Sequence, residues 1–202
     1  MTLVEVPSER VERWAANFTA RHGETTMSTI DGALRGLAPD GSTFVARLPF
    51  GATYDGAAEP AVFAAAVRAP EDWGVLLVRK GGFAVGRLAG RRLVDSKVGQ
   101  RHVQGRTKAG GQSQQRFARR RDNQARQAYE AAADHAARIL GGVRGPVVAG
   151  GDHTAVDEVL ADPRLRGVVV TDPWLAVPDP RRAVLEQAVA SACSVRVEVV
   201  NA

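Results

Sequence analysis

From Ser113 to Leu140 the chain contains neither glycine nor proline, whereas Gly110 and Gly111 stand just ahead of that run. Both residue types are costly inside a helix, so their absence, with Ser113 as a good N-cap, predicts one helix of roughly seven turns. The Gly-rich loop opens directly into it. At about 100° per residue, Arg116, Arg119, Arg120 and Arg126 gather on one face. Phe117, Ala118, Ala125, Ala128, Ala132, Ala136 and Ile139 gather on the other. One side is built to pack and the other is basic. Arg121 turns toward the apolar side, and Arg138 reads as ordinary surface.

The charge on this stretch is local. From Lys97 to Arg126 nine Lys or Arg face a single acid, Asp122, a net charge of +8 on thirty residues, while the whole chain carries +5. Everything else therefore sums to −3, and general solubility does not account for the pattern. A solvated face is the usual reading of a charge run. Here Arg116, Arg119 and Arg120 have no acid four residues away to relieve the repulsion, which favours an external polyanion, with phosphate the obvious one.

The segment Gly110-Gly111-Gln112-Ser113-x-x-Arg116-Phe117-Ala118-Arg119-x-Arg121 resembles the signature of the central domain of eukaryotic and archaeal class-one peptide-chain release factors. Upstream, the stretch Gly74 to Gly86 looks like that domain's opening hairpin, and the resemblance runs from about Trp73 to Val200. Its nearest likeness is to stand-alone, release-factor-like peptidyl-tRNA hydrolases of ribosome quality control. The resemblance implies that Gln112 has the catalytic role and that Gly110 and Gly111 set the geometry of a protruding tip. Elementary chemistry is compatible with this. Glycine lets backbone approach a ligand where a Cβ would clash, and the Gln112 amide is donor and acceptor without charge. No His or carboxylate lies between Val103 and Arg121, which suits catalysis by positioning and electrostatic stabilisation rather than by a protein base. Charge alone nominates Arg106, Lys108, Arg116, Arg119, Arg120 and Arg126 as RNA-binding residues. Taken alone, Gly110-Gly111 is equally a flexible turn.

Departures from the pattern narrow the expectation. A full release factor of this type also has a codon-reading domain and a GTPase-recruiting domain, for which 202 residues leave no room. The family's Asn-Ile-Lys-Ser stretch is absent, and Thr107-Lys108-Ala109 precedes the glycines where the release factors have a further glycine and a basic residue. The expected activity is therefore codon-independent release of nascent chains from tRNA on stalled ribosomes or split large subunits. Two alternatives stay open: a nuclease cutting the tRNA acceptor end, and a non-catalytic ribosome-binding module. Expected partners are large-subunit rRNA and peptidyl-tRNA, with no DNA and no membrane, on a monomer without cofactor or metal.

The rest of the chain fits a cytoplasmic, bacterial, single-core protein. Its hydrophobic content of 45 % can build a core, and with 5 % aromatics that core should be aliphatic. One cysteine, Cys193, fits a reducing compartment and, between Ala192 and Val195, reads as core. His22, His102, His135 and His153 are scattered without metal-ligand spacing. No apolar run approaches a membrane span.

Periodicity predicts helices over Ser8–Arg21, Ala58–Arg68, Thr154–Leu160 and Arg181–Ala192. It predicts strands at Thr43–Leu48, in a hairpin from Gly74 to Leu93, and at 147–149, 167–170 and 195–200. The expected fold is α/β, a mixed sheet flanked by helices, with the long basic helix following the loop. Residues 1–70 would be an N-terminal extension and 71–202 the release-factor-like domain, with the stretch Gly51–Glu59 as linker. Gly150-Gly151-Asp152-His153 is placed where an α/β protein could hold phosphate or a catalytic His. An ordinary strand-to-helix turn, capped by Asp152 or Thr154, explains it more simply. Asp172-Pro173-Trp174 reads as turn punctuation, with Trp174 packed in the core.

Overall fold

A computed structural model describes residues 1–100 and 128–202. The chain divides into two compact units, one comprising residues 1–69 with 189–202 and the other residues 70–188. The α/β class expected from the sequence is the one adopted, but it is built from two five-stranded sheets rather than one.

The first unit contains β1 (Thr2–Val6), α1 (Val11–His22), β2 (Thr26–Ile30), β3 (Ala33–Leu37), β4 (Thr43–Arg47), α2 (Pro60–Ala66) and β10 (Val195–Val200). Its strands run in the order β1-β10-β4-β3-β2, every pair antiparallel. As the 3.6-residue pattern demands, Val11, Ala15 and Phe18 of α1 are buried, with Trp14 half-buried beside them. They meet Val6, Leu34, Phe44, Phe63 and Val197 in one core. That core is chiefly aliphatic, as expected, with its rings in two groups: Trp14, Phe18 and Phe44 touch one another, and Tyr54 stands edge-on to Phe63. Tyr54, inside the stretch expected to be a linker, is buried and donates its hydroxyl to the Ala57 carbonyl at 2.6 Å. β1, β2 and β3 were not foreseen.

The second unit opens with an antiparallel meander: β5 (Trp73–Arg79), β6 (Gly82–Ala89) and β7 (Arg92–Gln100). β5 is buried on both faces along nearly its whole length, as its unbroken apolar run requires. Helical residues 128–140 (α3) lead to β8 (Val147–Gly151), then α4 (His153–Leu160) and β9 (Val170–Leu175). β8 and β9 add in parallel, giving a mixed sheet in the order β7-β6-β5-β8-β9. Ala132, Ala136, Ile139 and Leu140 of α3 and Ala155, Val156 and Val159 of α4 bury one face of this sheet against Leu76, Val78, Val85, Val147 and Ala149. α5 (Arg182–Ala192) begins beside the sheet, where Arg182 donates to the Ser96 hydroxyl at 3.1 Å, and crosses the division between the units along the chain. Cys193 is buried, as expected.

Two expectations change in the second unit. The strand expected at 167–170 begins only at Val170, because the Val168 N–H is used in a turn to the Leu165 carbonyl at 2.9 Å. Asp172-Pro173-Trp174 is consequently interior to β9, an edge strand, where proline is tolerated. Of the long helix, residues 128–140 are helical; Ser113 and the rest of its expected course lie outside the described residues. Among the described residues, no helix is long and apolar enough to cross a membrane.

Candidate functional site

Every residue nominated from the sequence for catalysis or RNA binding lies outside the described residues: Gly110, Gly111 and Gln112, and Arg106, Lys108, Arg116, Arg119, Arg120 and Arg126. The same holds for His102 and Arg121. What the structure gives is the frame between which that segment is strung. β5 and β7 both run antiparallel to β6, so they point the same way. Pairing sets Gln100 opposite Gly82, Gly82 opposite Arg79, and Val78 opposite Gly151. The last residue before the segment therefore stands in a row with the carboxyl ends of β5 and β8. α3 then runs back along the sheet. Near its start, Tyr129 lies within the electrostatic reach of Asp152 and Glu158, while farther on Arg138 pairs with Asp95 of β7 at 2.7 Å. Burial, helped by those two carboxylates, raises the Tyr129 phenol above its ordinary pKa. The chain thus leaves and re-enters at one edge, the carboxyl edge where open α/β sheets place their ligand sites.

Close approach of backbone decides the local sequence at that edge. Gly151 has φ of +97°, and a Cβ there would run into the Val78 carbonyl oxygen. Only glycine lets β8 turn so sharply into α4. The ordinary strand-to-helix turn is therefore the right reading of Gly150-Gly151-Asp152-His153, with one difference. Asp152 occupies the N-cap position but its side chain makes no capping hydrogen bond. Its carboxylate lies 3.5 Å from the Nε of Arg79 instead. Arg79 also donates to the Val177 carbonyl at 3.0 Å and lies 4.0 Å from Asp179. One cation between two carboxylates acts as a tie across the ends of β5, β8 and the loop after β9, rather than as a free phosphate ligand. Sequence reasoning missed this tie. Its signal is distributed over three separated segments and emerges only once their ends are aligned.

The described histidines are all engaged. His153 stacks on Trp174 with ring centroids 3.6 Å apart and planes at 11°, and the Trp174 indole N–H donates to the Gly151 carbonyl at 3.3 Å. Trp174 is half-buried, packed against the core of this unit as well as in the stack. His135 of α3 stacks on Phe83 of β6 at 5.6 Å, and His22 lies 2.9 Å from Asp40 in the first unit. Among the described residues no group of three His, Cys, Asp or Glu is placed to hold a metal ion.

A family model described as the Actinobacteria/chloroflexi VLRF1 release factor matches residues 71–198. That span runs from just before β5 into β10 and includes both anchors and the segment between them. No curated protein matches the chain.

Proposed function

Because the chain belongs to the Actinobacteria/chloroflexi VLRF1 release-factor family, we propose that it is a codon-independent peptidyl-tRNA hydrolase that frees nascent chains on stalled ribosomes or split large subunits. The observation that carries this reading is the Gly110-Gly111-Gln112 tripeptide within a family match that spans it. The common edge at which the described residues break off after β7 and resume in α3 lends support, since a reactive segment anchored at both ends on a rigid sheet can be presented as a tip.

In the proposed reaction, water adds to the carbonyl carbon of the ester joining peptide to the terminal tRNA ribose. The bond from that carbon to the ribose oxygen breaks, and the proton lost by water passes to the departing oxygen. Products are a peptide with a free carboxylate and a full-length tRNA with a free hydroxyl. Gly110 and Gly111 keep the tip thin, and Gln112 offers its backbone N–H and neutral amide to the charge that develops on the carbonyl oxygen. Arg106, Lys108, Arg116, Arg119, Arg120 and Arg126 hold RNA phosphate, and rRNA supplies much of the proton handling. Recognition is by situation rather than by codon.

The test is release of labelled peptide from P-site peptidyl-tRNA on stalled ribosomes and isolated large subunits, with the tRNA product resolved by size. Wild type should release peptide and leave the tRNA full-length. Loss of one transition-state donor in Gln112→Ala should slow release by about 10²- to 10³-fold. A shortened tRNA would move the reading to a nuclease, and binding without release would leave a ribosome-associated module.

A further inference from the structure

The opposite, amino-terminal edge of the second sheet holds an open cleft of about 970 Å³ between the ends of β5 and β6, the start of β7 and the end of α3. Four arginines line it. Two are tied. Arg87 donates from Nε to Asp72 at 2.8 Å and from Nη2 to its second oxygen at 3.1 Å, and Arg138 donates to Asp95 at 2.7 Å. The other two, Arg92 and Arg144, are exposed, and their side chains make no hydrogen bond or ion pair among the described residues, although the Arg144 charge lies within the electrostatic reach of Asp72.

The wall that carries Arg144 is fixed. Asp72 accepts the Arg144 backbone N–H at 2.9 Å, and Arg87 also reaches the Gly142 carbonyl at 3.3 Å. A Cβ on Gly145 would strike the Asp72 carbonyl oxygen, so the loop lies directly against the start of the β5 strand. Arg92 on β7 is equally anchored by its pairing with Ala89. Of the acids lining the cleft, Asp72 and Asp95 are hydrogen-bonded to Arg87 and Arg138, and Asp72 also attracts Arg144 at longer range, so the Arg92 and Arg144 guanidinium groups keep their donors unused among the described residues. The guanidinium fork matches phosphate oxygens, and both free forks stand on ordered backbone.

We propose that this cleft is a second phosphate-backbone site, through which Arg92 and Arg144 grip RNA at the edge of the sheet opposite to the carboxyl ends of β5 and β8. An open cleft with its free cations on exposed rims suits successive phosphates of a polymer rather than one enclosed anion. That the polymer is RNA rests on the release-factor reading.

Binding of fluorescein-labelled deacylated tRNA to the full-length protein, measured from roughly 50 to 200 mM salt, tests the proposal. Each phosphate contact contributes close to one to the slope of log K against log[salt], so Arg92→Ala/Arg144→Ala should lower it by about two and weaken binding about tenfold or more near 100 mM. The Arg92→Lys/Arg144→Lys control should retain most of the slope, because the charge remains. An unchanged slope and affinity in the alanine variant overturns the proposal. So does loss of inorganic triphosphate binding with tRNA binding intact, which would make the cleft a small-anion site. Peptide release is scored separately: a wild type that grips tRNA through these arginines but releases no peptide would remove the hydrolase reading and leave the cleft standing.

Discussion

Asp162 accepts from the Arg164 backbone N–H at 2.9 Å, from its Nε at 2.9 Å and from its Nη2 at 2.6 Å, and the same guanidinium reaches Asp134 of α3 at 2.6 Å. The side-chain contact leads, the backbone N–H adds to it, and together they hold the Asp162 carboxyl down at about 2, from an ordinary 3.8. A carboxyl depressed on folding stabilises the protein fully above its unfolded pKa, and that contribution disappears as pH falls through the folded value. The window is thus about pH 4 down to about pH 2. Asp40, Asp72 and Asp95 are lowered as well, each by hydrogen bonds from its own partner. Asp162→Asn should therefore shrink, without abolishing, the fall in melting temperature between about pH 5 and about pH 2.5. An identical fall in variant and wild type would show that the network contributes nothing to folding.

At the scale of elements, α1 meets β4 on one ring. Phe44 stands edge-on to Trp14 and to Phe18, with centroids 5.0 Å away in each case, and is 1 % exposed. Phe44→Ala removes a fully buried ring and both contacts, which should cost about 3–5 kcal/mol of unfolding free energy, read from the midpoint of urea denaturation. A midpoint within experimental scatter of wild type would mean that the aromatic cluster does not hold the first unit together. The elements legible in the sequence are those with a local signature. Val11, Ala15 and Phe18 repeat at helical spacing, the second unit's meander is apolar and punctuated by Gly81-Gly82 and Gly90, and residues 195–200 alternate. β2 and β3 carry no such mark: Ala-Leu-Arg-Gly-Leu becomes a strand because β4 offers it an edge, Thr-Met-Ser-Thr-Ile because β3 then offers the next, and cross-strand partners leave no trace in a local window. Val168 misleads for the converse reason, being apolar yet spent in a turn. The candidate site divides the same way. Its tripeptide is contiguous and therefore readable, whereas Arg79, Asp152 and Asp179 are joined only by strand pairing.

At the scale of the molecule, charge is concentrated in one stretch of sequence. Residues 101–127 hold eight Lys or Arg and one acid, a net charge of +7, so the remaining 175 residues sum to −2. The cleft at Arg92 and Arg144 is an exception within that nearly neutral remainder. β7 separates it from Gln100 by its own length, nine residues, or roughly 25–30 Å at the usual strand rise. The Debye length near physiological salt is about 8 Å, so charges farther apart than that are largely screened from one another. If both regions contact RNA through separate phosphates, their contributions to the salt slope add. Arg119→Glu/Arg120→Glu should lower the slope by its own amount, Arg92→Ala/Arg144→Ala by about two, and the four-fold variant by the sum of both. A combined loss no larger than that of the first pair alone would mean that the cleft never touches RNA when residues 101–127 do. A loss larger than the sum would mean that one region must dock before the other can engage. Additivity, measured by tRNA anisotropy across the salt series, is the outcome expected if the cleft and residues 101–127 both contact RNA.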